Sequence, residues 1–185
     1  MTTDDVIGPS WLDDVRVDIV AKAPSAKAAD GDVRAMAQTL LKDRMKLVAH
    51  IEQRDKSVYA LEIWKDQPKL EKSTPPAKPE DADCYFATST KPGMTRMICT
   101  HMSMAMFAHE LSDEDGKDVD RRVIDKTGLD GVWDFRIDFT PPGADTGGLN
   151  LFGAMQAQLG LQLESKRLPV PVLVVDSMEK TPSEN

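Results

Sequence analysis

A chain of 185 residues, 41% hydrophobic and 29% charged, has the composition of a globular protein and the length for one domain, or for two small repeats sharing a core. Its net charge of -8 opposes contact with phosphate backbones, because lysine and arginine are scattered and form no basic patch. No apolar run approaches the roughly 20 residues that span a bilayer as a helix, so no membrane span is expected.

Met1-Thr2-Thr3-Asp4-Asp5 has neither a basic nor an apolar region and does not read as a signal peptide. Residues 15–23 (VRVDIVAKA) alternate and predict a strand closed by Pro24. Asp30 or Asp32 suits a helix N-cap, after which Val33, Met36, Ala37, Leu40 and Leu41 share one helical face. Residues 45–53 and 57–64 predict two strands of a hairpin turning at Arg54-Asp55-Lys56. Residues 66–93 hold the densest proline and lysine (KSTPPAKPEDAD) and predict a long exposed loop.

Residues 96–102 predict a strand, and Ser103 a cap for a helix with Met104, Phe107, Ala108 and Leu111 inward. An acidic loop over 112–120, a short strand at 122–124 and a longer one at 132–139 follow, the last closed by Pro141-Pro142-Gly143. Residues 149–159 predict a helix burying Phe152, Met155 and Leu159 and stopped by Gly160. Residues 161–164 and 170–176 predict a final hairpin, and 179–185 a frayed tail.

The order β-α-β-β occurs twice. Val17-Asp18-Ile19 answers Trp133-Asp134-Phe135, and Met45-Lys46-Leu47 answers Leu161-Gln162-Leu163, both at an offset of 116 positions. One such unit buries little apolar area, and two packed together complete a core. The expected fold class is therefore α+β: two related β-α-β-β units with a β-α-β insertion, mixed and antiparallel sheets, and about three helices. The expected division is 7–65 for the first unit, 66–93 for the loop, 94–178 for the β-α-β stretch with the second unit, and 179–185 for the tail.

No catalytic constellation stands out. The histidines His50, His101 and His109 form no i, i+4 pair or HExxH, and there is no G-x-S-x-G elbow or Walker loop. Gly147-Gly148 reads as a hinge, or as an anion site at a helix start. The run from Asp113 to Asp120 is a solvated acidic loop or a loose divalent site through Asp113 and Asp115. An EF-hand fails, because Leu111 and Arg122 fall where oxygen ligands are needed. Met94, Met97, Met102, Met104 and Met106 gather near Cys99 and His101, a soft donor set for copper(I), although Met97 and Met104 also fit buried faces.

The metal candidates are therefore Cys99, His101, Met102, Asp113 and Asp115. Asp18 and Asp134, at equivalent repeat positions, read as structural acids or as an acid–base pair. Gly128 is expected to take a positive φ in a turn. Cys84 and Cys99 form a disulfide if the compartment is oxidising, or remain two part-buried thiols.

The run Gly8-Pro9-Ser10-Trp11-Leu12-Asp13, then Val17-Asp18-Ile19, Ala21-Lys22-Ala23-Pro24, Leu40-Leu41-Lys42-Asp43-Arg44-Met45-Lys46-Leu47, His50 and Val58-Tyr59-Ala60-Leu61, resembles one family pattern. So do Val123-Ile124-Asp125-Lys126-Thr127-Gly128-Leu129, Gln158-Leu159-Gly160-Leu161 and Glu179-Lys180 to Glu184-Asn185. The family is a large paralogous group of uncharacterised proteins typical of Acidobacteria, described as a domain of unknown function. The resemblance implies export, and some members are fused to beta-lactam-sensor-type membrane metallopeptidases. Residues 103–129 are also loosely similar to the short N-terminal domains of secretins and TonB-dependent receptors. Against that pattern, an upstream segment with a signal peptide is expected to be absent from this product, and Met45 stands where the family favours phenylalanine.

The expected function is that of a non-enzymatic extracytoplasmic binding module, periplasmic or extracellular by resemblance. It needs no cofactor or nucleic acid, and it presents strand edges to a protein or envelope component. A copper- or calcium-binding protein, or a hydrolase with a carboxylate pair, is the alternative.

Overall fold

The computed structural model describes residues 5–22, 30–65, 68–74, 81–113, 118–144 and 147–183. They adopt an α+β fold with mixed and antiparallel sheets and three main helices. The chain forms two compact units, Met1–Lys56 with Pro169–Asn185, and Ser57–Leu168.

The second unit is built on an antiparallel sheet. Its strands are β3 (Glu71–Ser73), β4 (Asp83–Thr88), β5 (Thr95–Met102) and β7 (Val132–Phe139), in the order β3-β7-β5-β4. Alternation sends Met97 and Cys99 of β5 and Phe135, Ile137 and Phe139 of β7 to one buried face, with Met97 opposite Ile137 and Cys99 opposite Phe135. Helix α3 (Met104–Asp113) joins that core. Ser103 Oγ accepts from the Met106 N–H at 3.2 Å, satisfying an orphan donor. The α3 face of Met104, Phe107, Ala108 and Leu111 is fully buried, and Phe107 meets Phe135 edge-on at 4.8 Å between ring centroids.

Asn150 starts α4 (Leu151–Ala154) by accepting from Gly153 N–H at 3.0 Å. The helix continues as a π-helical turn (Met155–Leu159) and stops at Gly160, whose φ of 66° suits a residue without Cβ. Gln158 of this turn accepts from Asp138 N–H at 3.0 Å and donates to Asp138 O at 2.7 Å, stitching it to β7. The Asp138 carboxylate takes a two-pronged bond from Arg96 directly across the β5–β7 ladder, at 2.7 and 2.9 Å.

Two long strands, β2 (Val48–Ile63) and β8 (Leu161–Ser177), run through both units, within a second sheet of order β1-β8-β2-β6. In the second unit β6 (Val123–Asp125) pairs parallel with Tyr59–Leu61 of β2, and Lys166 bridges Glu62 at 2.6 Å. In the first unit β1 (Val6–Ile7) pairs parallel with Leu173 and Val174 of β8, and His50 Nδ1 lies 2.9 Å from Asp176 Oδ2. There α1 (Trp11–Asp14) and α2 (Asp30–Met45) complete the elements. Gly8 sits at a close approach, where a Cβ would come 2.6 Å from Leu12 Cδ1 and 3.0 Å from Val175 Cβ, so a larger residue would displace both side chains.

Several elements differ from the sequence reading. Residues 15–22 form no strand, while 132–139 do, so the stretches around Asp18 and Asp134 follow unlike paths. The stretch 15–22 has no ladder partner among the described residues, whereas β7 is paired on one side by β3 and on the other by β5. The expected hairpin at Arg54-Asp55-Lys56 is one continuous strand, because the tripeptide offers no glycine, asparagine or proline to turn the chain. The final hairpin is likewise one strand, with Pro169 and Pro171 inside it.

Met45 ends α2 rather than opening a strand, whereas Leu161 opens β8, so these two members of the repeat alignment do not correspond. Within 66–93, β3 and β4 form where a continuous loop was expected, drawn into the sheet by pairing with β7 and β5. Residues 66–67, 75–80 and part of the acidic loop, 114–117, lie outside the described residues. Residues 179–183 of the tail are anchored rather than frayed. Glu179 and Ser183 N–H groups donate to the Met45 and Arg44 carbonyls at 2.7 and 2.8 Å, which α2 leaves without helical partners.

The Arg96 guanidinium holds the Asp138 carboxyl down to about 2, from an ordinary 3.8. A depressed folded-state pKa contributes stability above the unfolded value that is lost as pH falls through the folded one. Urea unfolding of the wild type and of Asp138→Asn should therefore differ at pH 7 and converge as the pH drops from about 4 to about 2.

Candidate functional site

The first unit carries the more open surface. Residues 15–22 belong to no helix or strand, with Val17, Ile19 and Ala21 at alternate positions. Val20 is 99% exposed and Ile19 55%. Two hollows, of about 510 and 280 Å³, share Ile19, Ala21 and Leu40. The larger is also lined by Arg44, Met45, Pro182 and Ser183. The smaller is lined by Val33, Met36, Ala37 and Leu41 of α2. These are the residues expected to form a buried helix face, yet Val33 is 46% exposed and Ala37 is exposed too.

Native interiors pack with few voids larger than a water molecule. The described residues thus leave the apolar side of α2 only partly covered, and contiguous apolar surface of this kind marks an interaction site. Its polar groups are few: Asp18, Lys22 and Arg44 lie along the hollows.

In the second unit the sulfur-rich cluster resolves differently. Cys84 and Cys99 stand directly opposite on β4 and β5 and are joined as a disulfide. A disulfide sulfur is not a thiolate, so Cys99 leaves the copper donor set. Met97, Met102 and Met104 are buried as core residues. His101 sits at a bulge of β5, where the register shifts between Cys99 and Met102 and its own φ is 52°. Its backbone N–H donates to Asp134 Oδ1 at 2.7 Å, so Asp134 holds the bulge.

Asp18 belongs to the other unit and lines its larger hollow. Gly128 has φ 68°, in a turn where Asp125 Oδ1 accepts from the Thr127 N–H at 2.9 Å. Among the described residues no three His, Cys, Asp or Glu side chains gather to hold a metal ion. Asp115 and the side chain of Asp113 lie outside what is described.

Two features escaped the sequence reading. Ser73 Oγ lies 2.7 Å from His101 Nδ1. That is the spacing of a nucleophile and its base, but neither residue lines the hollows above or the groove below, and the contact ties β3 to the β5 bulge. The pair is 28 residues apart, so no local motif could signal it.

The second feature is a groove of about 430 Å³ beside β4. It is lined by Ala82, Asp83 and Cys84, by Met102, and by Ala105, Met106, His109 and Glu110 of α3. β4 is the terminal strand of its sheet among the described residues, and its Tyr85 and Phe86 are 48% and 45% exposed.

A family model described as a protein of unknown function, DUF3738, matches residues 1–178. No curated protein and no solved structure matches the chain. No helix among the described residues is long and apolar enough to cross a membrane.

If the apolar side of α2 is surface, Val33→Lys should leave urea stability within about 0.5 kcal/mol of wild type. Leu61→Ala, in the closed core of the second unit, should cost about 2–5 kcal/mol by the same measurement.

Proposed function

The chain belongs to the DUF3738 family of proteins of unknown function, and from that membership we propose that it is an exported interaction module that docks a partner protein on the apolar groove of its first unit. The observation that carries this reading is the set of large apolar side chains, Val17, Ile19, Val20 and Val33, left exposed around the hollows beside α2. An exposed patch of this kind gains from burial roughly 25 cal/mol per Å² of apolar surface, which supplies a driving force for association. The lining has few charges, so a partner presenting an apolar helix or strand matches it.

Two further observations support the reading. The Cys84–Cys99 disulfide suits an oxidising, periplasmic or extracellular compartment, since cytosolic thiols are kept reduced. The order of a helix followed by a long strand recurs as α2–β2 and α4–β8, which supports an internally duplicated scaffold.

A photo-crosslinking residue at position 33, in protein made by its native host, should yield a discrete adduct. Ile19→Asp in the same chain should abolish it while leaving the urea midpoint unchanged. A missing adduct, or one insensitive to Ile19→Asp, would reject the groove as the docking site. The compartment is tested separately. In protein trapped directly from cells, Cys84 and Cys99 should react with a thiol reagent only after reduction, and ready labelling without reductant would reject export.

A further inference from the structure

We propose that the β4 edge of the second unit is a strand-addition site for an extended segment of a partner protein, one with apolar residues at alternate positions and a lysine or arginine near its end. The inference concerns the other unit and does not rest on the α2 groove.

The backbone argues first. Cys84 and Cys99 face each other with their Cα atoms 4.2 Å apart. In an antiparallel ladder that short spacing marks a pair that exchanges no backbone hydrogen bonds, whose N–H and C=O groups point away from the partner strand. By the two-residue period the same holds for Phe86 and Thr88. These groups therefore point outward from β4, which is the terminal strand of its sheet among the described residues. A row of outward donors and acceptors is a template for another strand.

The side chains argue second. A residue hydrogen-bonded to Cys84 would point its side chain to the same face as Cys84. That face carries the groove between β4 and α3, with Met102 and Met106 along it. Alternate apolar side chains of an added strand would therefore enter a preformed apolar hollow. Methionine, flexible and polarisable, adapts to unlike shapes there.

Charge argues third. Asp83 and Glu110 both line this hollow, and the chain as a whole is acidic at -8. A cationic end on the incoming strand is attracted, and an anionic one is repelled.

The probe is a ten-residue peptide alternating valine and threonine with lysine at each end, titrated into the isotopically labelled full chain. Saturable shifts should appear at the amides of Cys84 and Phe86. The lysine-ended peptide should bind at least about ten-fold tighter than its glutamate-ended twin at low salt. N-methylation of the valines should weaken binding by a similar factor, by removing the ladder donors. Glu110→Lys should reduce or reverse the charge preference.

Shifts confined to the first unit, equal binding of both peptides, or no saturation by about 1 mM would overturn the proposal. So would concentration-dependent shifts at β4 without peptide, which would assign the edge to a second copy of this chain.

Discussion

Closure of one face of the antiparallel sheet is the constraint on which the second unit depends. Met97, Phe135, Ile137 and Phe139 can leave water only if something covers them, and Phe107 and Leu111 of α3 share their core with Met155 and Leu159 of the π-helical turn. The polar groups at Asp138 are matched in a way that permits that cover. Gln158 satisfies both backbone groups of Asp138, and Arg96 neutralises its carboxylate. A buried polar group left unmatched would cost more than such bonds add.

The same cover determines what remains open. The bulge at His101 ends β5 and leads into α3, with Asp134 accepting the displaced N–H. Placing α3 there leaves a channel beside β4 and does not seal it, because among the described residues the sheet ends at β4. The disulfide joins that edge strand to its ladder partner β5, so the rim of the channel is held covalently.

The first unit solves the burial problem less completely. Among the described residues its buried apolar side chains are Met45, Val170, Val172 and Val175, a small set beside that of the second unit. The tail is held to the end of α2 through the Arg44 and Met45 carbonyls. Among the described residues, the stretch 17–22 and the tail at Pro182 and Ser183 border the apolar face of α2, with room left between. A folded surface that still has apolar side chains to bury has a reason to recruit a partner.

Periodicity alone determined the elements whose burial is local. The α3 face, the limits of β7, the Ser103 start, the Gly160 stop and the positive φ at Gly128 all follow from side-chain spacing and backbone sterics. Each depends only on neighbours in the chain. Only the tertiary structure decided what depends on finding a partner across the chain. The strand pattern at 15–22 has no ladder partner among the described residues, the Arg54-Asp55-Lys56 stretch stayed straight, the proline-rich region lent two strands to the sheet, and Cys99 became half of a disulfide and no longer a metal donor. Alternation records that a segment is able to pair. Which edge is vacant, and which hollow stays open, is a property of the assembled sheet.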